Sequence, residues 1–268
     1  MYGKASADFP QRIVCLTAEH AEICRALGAG DRVVGASGTA RPPLGLETAP
    51  RLGGVTSLPV GEILALCPDL VLAFSDVQAE VVAELIRAGL AVLCTNQRSV
   101  EGILETVLLV GGALGLEAAA RGLVLDMRDE IRQVREYSSV WPQRPRVYFE
   151  EWPDPMIAGI RWVSEIVEIA GGRDVFPELR ACSAPNARVV DAADVLRRDP
   201  EIILASWGGA PVDIDAIAAR PGWTGMSAVR AGRIHEVPGG DILSPGPSVL
   251  AGLRAIHEVV QTYMEERS

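Results

Sequence analysis

The chain has 268 residues, 49% of them hydrophobic and 22% charged, a composition that belongs to globular proteins and excludes a disordered one. A formal net charge of −10 argues against a nucleic-acid partner, whose phosphates want a basic surface, and against docking on anionic lipid. No run reaches the roughly 18 apolar residues of a membrane span; residues 103–116, the most apolar stretch, are interrupted by Glu105, Gly111, Gly112 and Gly115.

In chain order, residues 12–17 (RIVCLT) predict a strand, residues 21–27 a helix closed by Gly28, and residues 32–36 a second strand. A short helix over 62–66, a strand over 70–74 (LVLAF), a helix over 80–88 closed by Gly89 and a strand over 91–95 follow. Continuous apolar character suits parallel strands buried on both faces, and the two glycines stand where helix C-caps belong. Residues 117–137 contain no Pro and only Gly122, and Leu123, Leu125, Met127, Ile131 and Val134 keep helical spacing. At about 1.5 Å per residue this is a rod of roughly 30 Å, stiff enough to allow two lobes only small tilts. Residues 141–145 (WPQRP) break the pattern. Strands are then predicted over 146–150 (RVYFE), 201–206 (EIILAS) and 233–237 (RIHEV), with helices over 162–170, 192–198 and 248–265. Such alternation means α/β architecture, divided as an N-terminal lobe (1–116), a linking helix (117–140) and a C-terminal lobe (141–268).

The two halves repeat each other. Residues 63–74 (ILALCPDLVLAF) align without gaps on 195–206 (VLRRDPEIILAS), each a short helix, a Pro-acid turn and a strand. Glu22-Ile23 ahead of Gly28 and Asp31-Arg32-Val33 is matched by Glu165-Ile166 ahead of Gly171-Gly172 and Asp174-Val175. Two matches in one order predict a duplicated half, and a cleft between two such lobes is a favoured place for a ligand.

The cysteines are five, scattered and without a CxxC pair, so no disulfide framework is expected; Cys15 and Cys94 read as small buried hydrophobes. Residues 1–10 lack the apolar core of a signal peptide. The chain is therefore expected in the cytoplasm, with the periplasm as the alternative if a leader has been removed.

The repeated unit, the opening RIVCLTAEHAEICRALGAGDRVVG, the long central helix and the closing GRIHEVPGGDILSPGPSVLAGL resemble class III periplasmic substrate-binding proteins over residues 12–263. These are the vitamin B12, ferric-siderophore and haem receptors of ABC importers. The block RVYFEEWPDPMIAGIRWVSEIVEIAGG (146–172) is similar to a subgroup described as cobalamin-binding. The resemblance implies two Rossmann-like lobes with parallel sheets joined by one rigid helix, and a corrinoid bound without covalent attachment. A ferric-siderophore or haem receptor is the first alternative; a metal-ion binder or an enzyme of corrinoid metabolism is the second. It also implies an ABC permease that docks on one glutamate per lobe. The matching positions hold Gly61 and Ala193, with Glu62, Asp191 and Asp194 nearby, which departs from the docking pattern. Of the family's aromatic ligand positions Phe74 matches one, while Arg41, Val55 and Ala187 stand at others.

A geometric rule gives a site without the resemblance, because ligands of open α/β sheets meet the loops beyond the carboxyl ends of strands. In the first lobe it selects Thr17, Glu19, His20, Ser37, Phe74, Ser75, Asp76, Gln97 and Arg98. In the second it selects Glu151, Trp152, Ser206, Trp207, Gly208 and Asp241. Trp152 and Trp207 each follow a strand among polar or Gly residues, and both are expected to offer an indole face to a flat ring rather than to the core. Arg161 and Trp162, which open a helix, are also candidate ligand contacts; Arg161 suits an amide or carboxylate of the ligand, or an ion pair with Glu165. Glu19 is favoured at a helix start by the dipole, and Asn96-Gln97-Arg98 offers donors and acceptors to ligand amides.

His20 is a candidate ligand for cobalt, and His20, His235 and Glu236 a candidate metal set, but three histidines without HxH or HExxH spacing predict no metal site. The chain has no GxSxG elbow, phosphate loop or strand-following GxGxxG. Glu150 and Glu151 fall on opposite strand faces and do not make a carboxylate pair, so no enzyme is expected.

Overall fold

Short apolar runs closed by polar turns become the strands of two sheets, the first all parallel and the second mixed. The computed structural model describes residues 8–38, 49–54 and 58–267. It separates into a first unit, Met1–Gln97 with Glu101–Met127, and a second, Arg98–Val100 with Arg128–Ser268. The first unit runs β1 (Ile13–Cys15), α1 (Ala18–Ala26), β2 (Val33–Ser37), β3 (Arg51–Leu52), α2 (Val60–Ala65), β4 (Leu70–Phe74), α3 (Ala79–Arg87), β5 (Val92–Thr95) and α4 (Val100–Leu114). The helix α5 (Glu117–Ser139) contains the boundary, after Met127. The second unit continues with β6 (Arg146–Pro153), β7 (Met156–Ala158), α6 (Arg161–Ile169), β8 (Arg173–Asp174), α7 (Ala192–Arg198) and β9 (Ile202–Ala205). It closes with α8 (Ile214–Ala218), α9 (Ser227–Arg230), β10 (Ile234–Glu236), α10 (Gly239–Ile242) and α11 (Val249–Glu265).

The first sheet has the order β3-β2-β1-β4-β5, all parallel. The second has β10-β9-β6-β7, with β8 also on β6; β8, β9 and β10 are parallel to their neighbours and β7 is antiparallel. The series β2-β1-β4-β5 is therefore repeated as β8-β6-β9-β10. β7 is an addition that pairs with the outer end of β6, where the register slips between Glu150 and Trp152. Val14, Leu16, Ile63, Val71 and Leu85 fill the first core; Tyr148, Phe176, Ile203, Trp207 and Trp223 fill the second.

The duplication reaches individual atoms. Arg12 Nε donates to the Leu66 and Cys67 carbonyls at 3.2 and 3.1 Å, just before Pro68. Arg146 Nε donates to the Arg198 and Asp199 carbonyls at 3.2 and 2.8 Å, just before Pro200. The main-chain N of Arg12 donates to Asp69 and that of Arg146 to Glu201, while Asp69 N and Glu201 N donate back to the Arg12 and Arg146 carbonyls. Cys67 and Asp199 share the left-handed backbone, at φ 46° and 43°. Each unit thus clamps its helix end to its central strand with the same parts.

Gly28 and Gly89 close α1 and α3 at φ 82° and 88°. α1 starts three residues earlier than the sequence predicts, because Thr17 is extended and the helix follows at once. Residues 103–116 fall mostly in α4, which the pattern did not assign. Its Ile103, Val107, Val110 and Leu114 are buried at helical spacing. Cys15 is buried as expected, but Cys94 is exposed: β5 is an edge strand, so one side lacks a neighbour. Among the described residues no helix is long and apolar enough to cross a membrane.

Candidate functional site

In the first unit the loops after β1, β4 and β5 close on themselves. Thr17, Glu19, His20 and Thr95 are all buried. Thr17 Oγ1 donates to Glu19 Oε1 at 2.7 Å and lies 2.8 Å from His20 Nδ1. Its only proton goes to Glu19, so Nδ1 carries hydrogen and donates to Thr17; Nε2 then accepts from the Thr95 hydroxyl at 3.0 Å. This bookkeeping assigns the tautomer. Burial lowers the His20 pKa to about 4. Burial also raises that of Glu19, against the Thr17 hydrogen bond that lowers it. The expectation of ligand contact by Thr17, Glu19 and His20 is corrected by this network. They form a satisfied core cluster, and His20 has no nitrogen left for cobalt or another metal.

Ser75 is buried at φ 59° and ψ 179°, a region sparsely populated by residues with side chains. Its N donates to the Thr95 carbonyl at 2.7 Å and its Oγ accepts from Val77 N. Gln78, which the sequence reading did not select, holds the same turn: its Oε1 accepts from Phe74 N and its Nε2 donates to the Leu16 carbonyl. Ser37 and Gln97 are buried, Phe74 and Arg98 half-buried, and Asp76 exposed. Phe74 and Asp76 are the members of this set that reach the surface of the first unit, and Arg98 groups with the second. Arg41 and Val55 lie outside the described residues.

In the second unit two consecutive carboxylates are each paired with an arginine, Glu150 with the half-buried Arg220 and Glu151 with the buried Arg188. Glu150 is fully buried. Its Oε1 accepts from Trp207 Nε1 (3.1 Å) and Arg220 Nη2 (2.9 Å), its Oε2 from Tyr148 OH (3.2 Å) and Arg220 Nη1 (2.5 Å). Burial, with the Glu150 charge, pushes the Tyr148 pKa well up. Glu151 accepts from Ile160 N (3.1 Å) and from both Nη atoms of Arg188 (2.6 and 3.0 Å). The slip in register at Glu151 is a bulge, which re-aims side chains on the bulged strand. No motif announced Arg188 or Arg220; each sits 37 or 70 residues from its carboxylate.

The two tryptophans part company. Trp152 is 42% exposed and its indole N–H is tied to the Asp154 carbonyl at 3.0 Å. Trp207 is instead 9% exposed and packs in the core, because Glu150 supplies a buried acceptor for its N–H; the expectation of an exposed face there is corrected. Trp162 is corrected likewise: it is 4% exposed and donates to the Ile242 carbonyl at 2.9 Å. Arg161 takes the ion-pair option, with Glu165 at 2.7 Å. Ser206 is buried, Asp241 half-buried and Gly208 exposed. Among the described residues no cluster of His, Cys, Asp or Glu has the makings of a metal site.

Two α/β units, the second with an exposed indole near the end of β6, have the architecture of proteins that bind small molecules beyond their strand ends. The chain belongs to the periplasmic binding protein family, whose model matches residues 13–239. Members of that family are substrate-binding proteins, and the resemblance read from the sequence is borne out. The ABC transporter substrate-binding lipoprotein YvrC of Bacillus subtilis, named as uncharacterized, is 27% identical over 267 residues, covering 94% of this chain and 80% of its own. A cobalamin-binding protein of Halobacterium salinarum is 25% identical over 248 residues, covering 90% and 67%. Among solved structures, the apo periplasmic heme-binding protein RhuT of Roseiflexus sp. RS-1 has a TM-score of 0.82 at 24% identity, covering 95% of this chain and 99% of its own. That last likeness is one of fold alone.

Proposed function

We propose that the chain binds a corrinoid reversibly and delivers it unchanged. The observation that carries this reading is Trp152, 42% exposed and locked through its N–H. A fixed, exposed indole offers flat apolar area with little rotamer freedom left to lose, which suits a planar macrocycle. The name of the Halobacterium relative supports a corrinoid; the RhuT likeness supports haem as the second reading, without iron ligation by the enclosed His20. Titrations with cyanocobalamin and with haemin, followed by tryptophan fluorescence and calorimetry, test it. Saturable cyanocobalamin binding weakened by Trp152→Ala is expected. Saturation by haemin alone moves the reading to haem. Failure of both at roughly 50 μM, a binding free energy weaker than about −6 kcal/mol, overturns it.

The alternative reading, an importer's substrate receptor outside the membrane, implies an ABC permease as partner. Gly61 and Ala193 offer no carboxylate, but Glu62 and Asp191 beside them are exposed, and a groove of about 680 Å³ is lined in part by Asp191 and Asp194. Charge reversal at Glu62 and Asp191 together is expected to abolish permease capture; unchanged capture overturns the partnership. For location the proposal is the cytoplasm, supported by five free thiols, and the lipoprotein name of the Bacillus relative supports the extracytoplasmic alternative. Cell fractionation decides between them.

A further inference from the structure

The two units end their central ladders differently. In the second, the pairing of β6 with β9 runs to Glu150 opposite Ala205, and Ser206 N donates to the Glu150 carbonyl at 2.9 Å. The repeats that match Arg12 with Arg146 and residues 63–74 with 195–206 make Leu16, Ala73 and Phe74 the counterparts in the first unit. There the pairing of β1 with β4 stops one step sooner, at Cys15 opposite Leu72. Leu16 N still donates to the Leu72 carbonyl at 2.9 Å. The next rung, which would join Phe74 N to the Leu16 carbonyl, is taken by a side chain. Gln78 Oε1 accepts from Phe74 N at 2.9 Å, and Gln78 Nε2 donates to the Leu16 carbonyl at 3.1 Å. An amide spliced into a rung satisfies both main-chain groups and holds apart two strands that a direct bond would close.

The splice stands at the switch point of the first sheet. From β1 the chain crosses to β2 on one side, and from β4 to β5 on the other. The crevice beyond the carboxyl ends of β1 and β4 is therefore where an open α/β sheet receives its ligand. Building on the corrinoid reading, we infer that Gln78 is a positioning residue for that ligand: it keeps this crevice open and fixes the backbone that carries Phe74. Gln78 is 1% exposed and acts from below; Phe74, the last residue of β4, is half-buried and offers the contact. The next residue, Ser75, is held at φ 59° by its N–H on the Thr95 carbonyl at 2.7 Å and by Gln78 N on its own carbonyl at 3.3 Å. The turn is thus tied to β5 through Thr95 and to β1 through Leu16. A sparsely populated backbone persists where its surroundings over-determine it, and a side chain on such a turn has less freedom to lose on binding. The second unit closes the equivalent rung directly, so the fold as such does not require the splice.

A double-mutant cycle read by calorimetry with cyanocobalamin tests this, on wild type, Gln78→Met, Phe74→Ala and the two combined. Met keeps the length of the side chain and loses both hydrogen bonds. Phe74→Ala is expected to weaken cyanocobalamin on the order of tenfold, as a contact ring does. Gln78→Met should weaken it about threefold to tenfold where Phe74 is present, and under about twofold in the Phe74→Ala background, because a residue that acts through a ring has nothing to position once the ring is gone. Circular dichroism confirms that each variant is folded. If Gln78→Met does not fold, Gln78→Asn, which keeps the amide but is too short to span the rung, replaces it in the cycle. A wild type that binds cyanocobalamin while Gln78→Met binds equally well, or loses the same factor in both backgrounds, overturns the positioning role and leaves the corrinoid reading standing. Unchanged binding by Phe74→Ala does the same. A wild type that does not bind cyanocobalamin overturns both the role and the reading beneath it.

Discussion

Replacing His20 by Gln, and comparing the pH dependence of unfolding with that of the wild type, isolates one buried imidazole. Gln keeps a donor and an acceptor between Thr17 and Thr95 but binds no proton. In the native protein burial lowers the His20 pKa from 6.5 to about 4, whereas the unfolded chain takes its proton near the ordinary value. Between those two values the unfolded state binds more protons. The His20 contribution is therefore full above about pH 6.5 and is lost as pH falls towards about 4. A gap of about 2.5 units is worth roughly 3 kcal/mol, of which about 2 kcal/mol is lost by about pH 5. Glu19 acts in the opposite sense: its raised pKa lets the native state take a proton first, so acidification stabilises the protein there. Glu19 is retained in the variant, so the difference between the two proteins reports His20. Urea unfolding at about pH 7.5 and about pH 5 should show the wild type losing roughly 2 kcal/mol more than His20→Gln. Equal losses would refute the closed network, because the imidazole would then titrate as if hydrated.

Glu150→Ala leaves Arg220, Tyr148 and Trp207 without their shared acceptor and should cost about 3–5 kcal/mol in urea unfolding; a loss under about 1 kcal/mol would contradict the buried pairing. Trp207→Ala should destabilise by about 3–5 kcal/mol and Trp152→Ala by under about 1 kcal/mol, a contrast that vanishes if both indoles are equally exposed. Native thiol titration should find Cys67 reacting first and Cys94 more slowly, because partial burial raises the Cys94 pKa, with Cys15 and Cys24 reacting only on unfolding; fast reaction of Cys15 would contradict its burial.

The strands and the repeat were legible because burial on both faces leaves continuous apolar runs, as at residues 70–74, and because Pro-acid turns stop helices in a fixed way. The site was legible only as a set of loops. Trp152 and Trp207 look alike in sequence, each at a strand end with small or polar neighbours. Their fates differ through Glu150, which gives Trp207 a buried partner 57 residues away, and through the bulge and hairpin that carry Trp152 outward. No local signal encodes a partner at that distance. Cys94 misleads for a related reason: its run is apolar, but strand order, which decides that β5 is an edge, is a long-range property. His20 looks like a ligand because of its place after β1, and only the hydroxyls of Thr17 and Thr95 reveal it as filled.

The doubled clamp makes this chain its own matched control. Arg12 and Arg146 reach the same pair of carbonyls at the end of the same helix. Among the described residues the Arg146 side chain also meets the Asp199 and Glu201 carboxylates, while that of Arg12 meets carbonyls alone. Substituting each in turn is a replicate within one molecule, in which solvent, temperature and preparation cancel. The difference between the two costs then reads what the carboxylates add to a helix-end clamp.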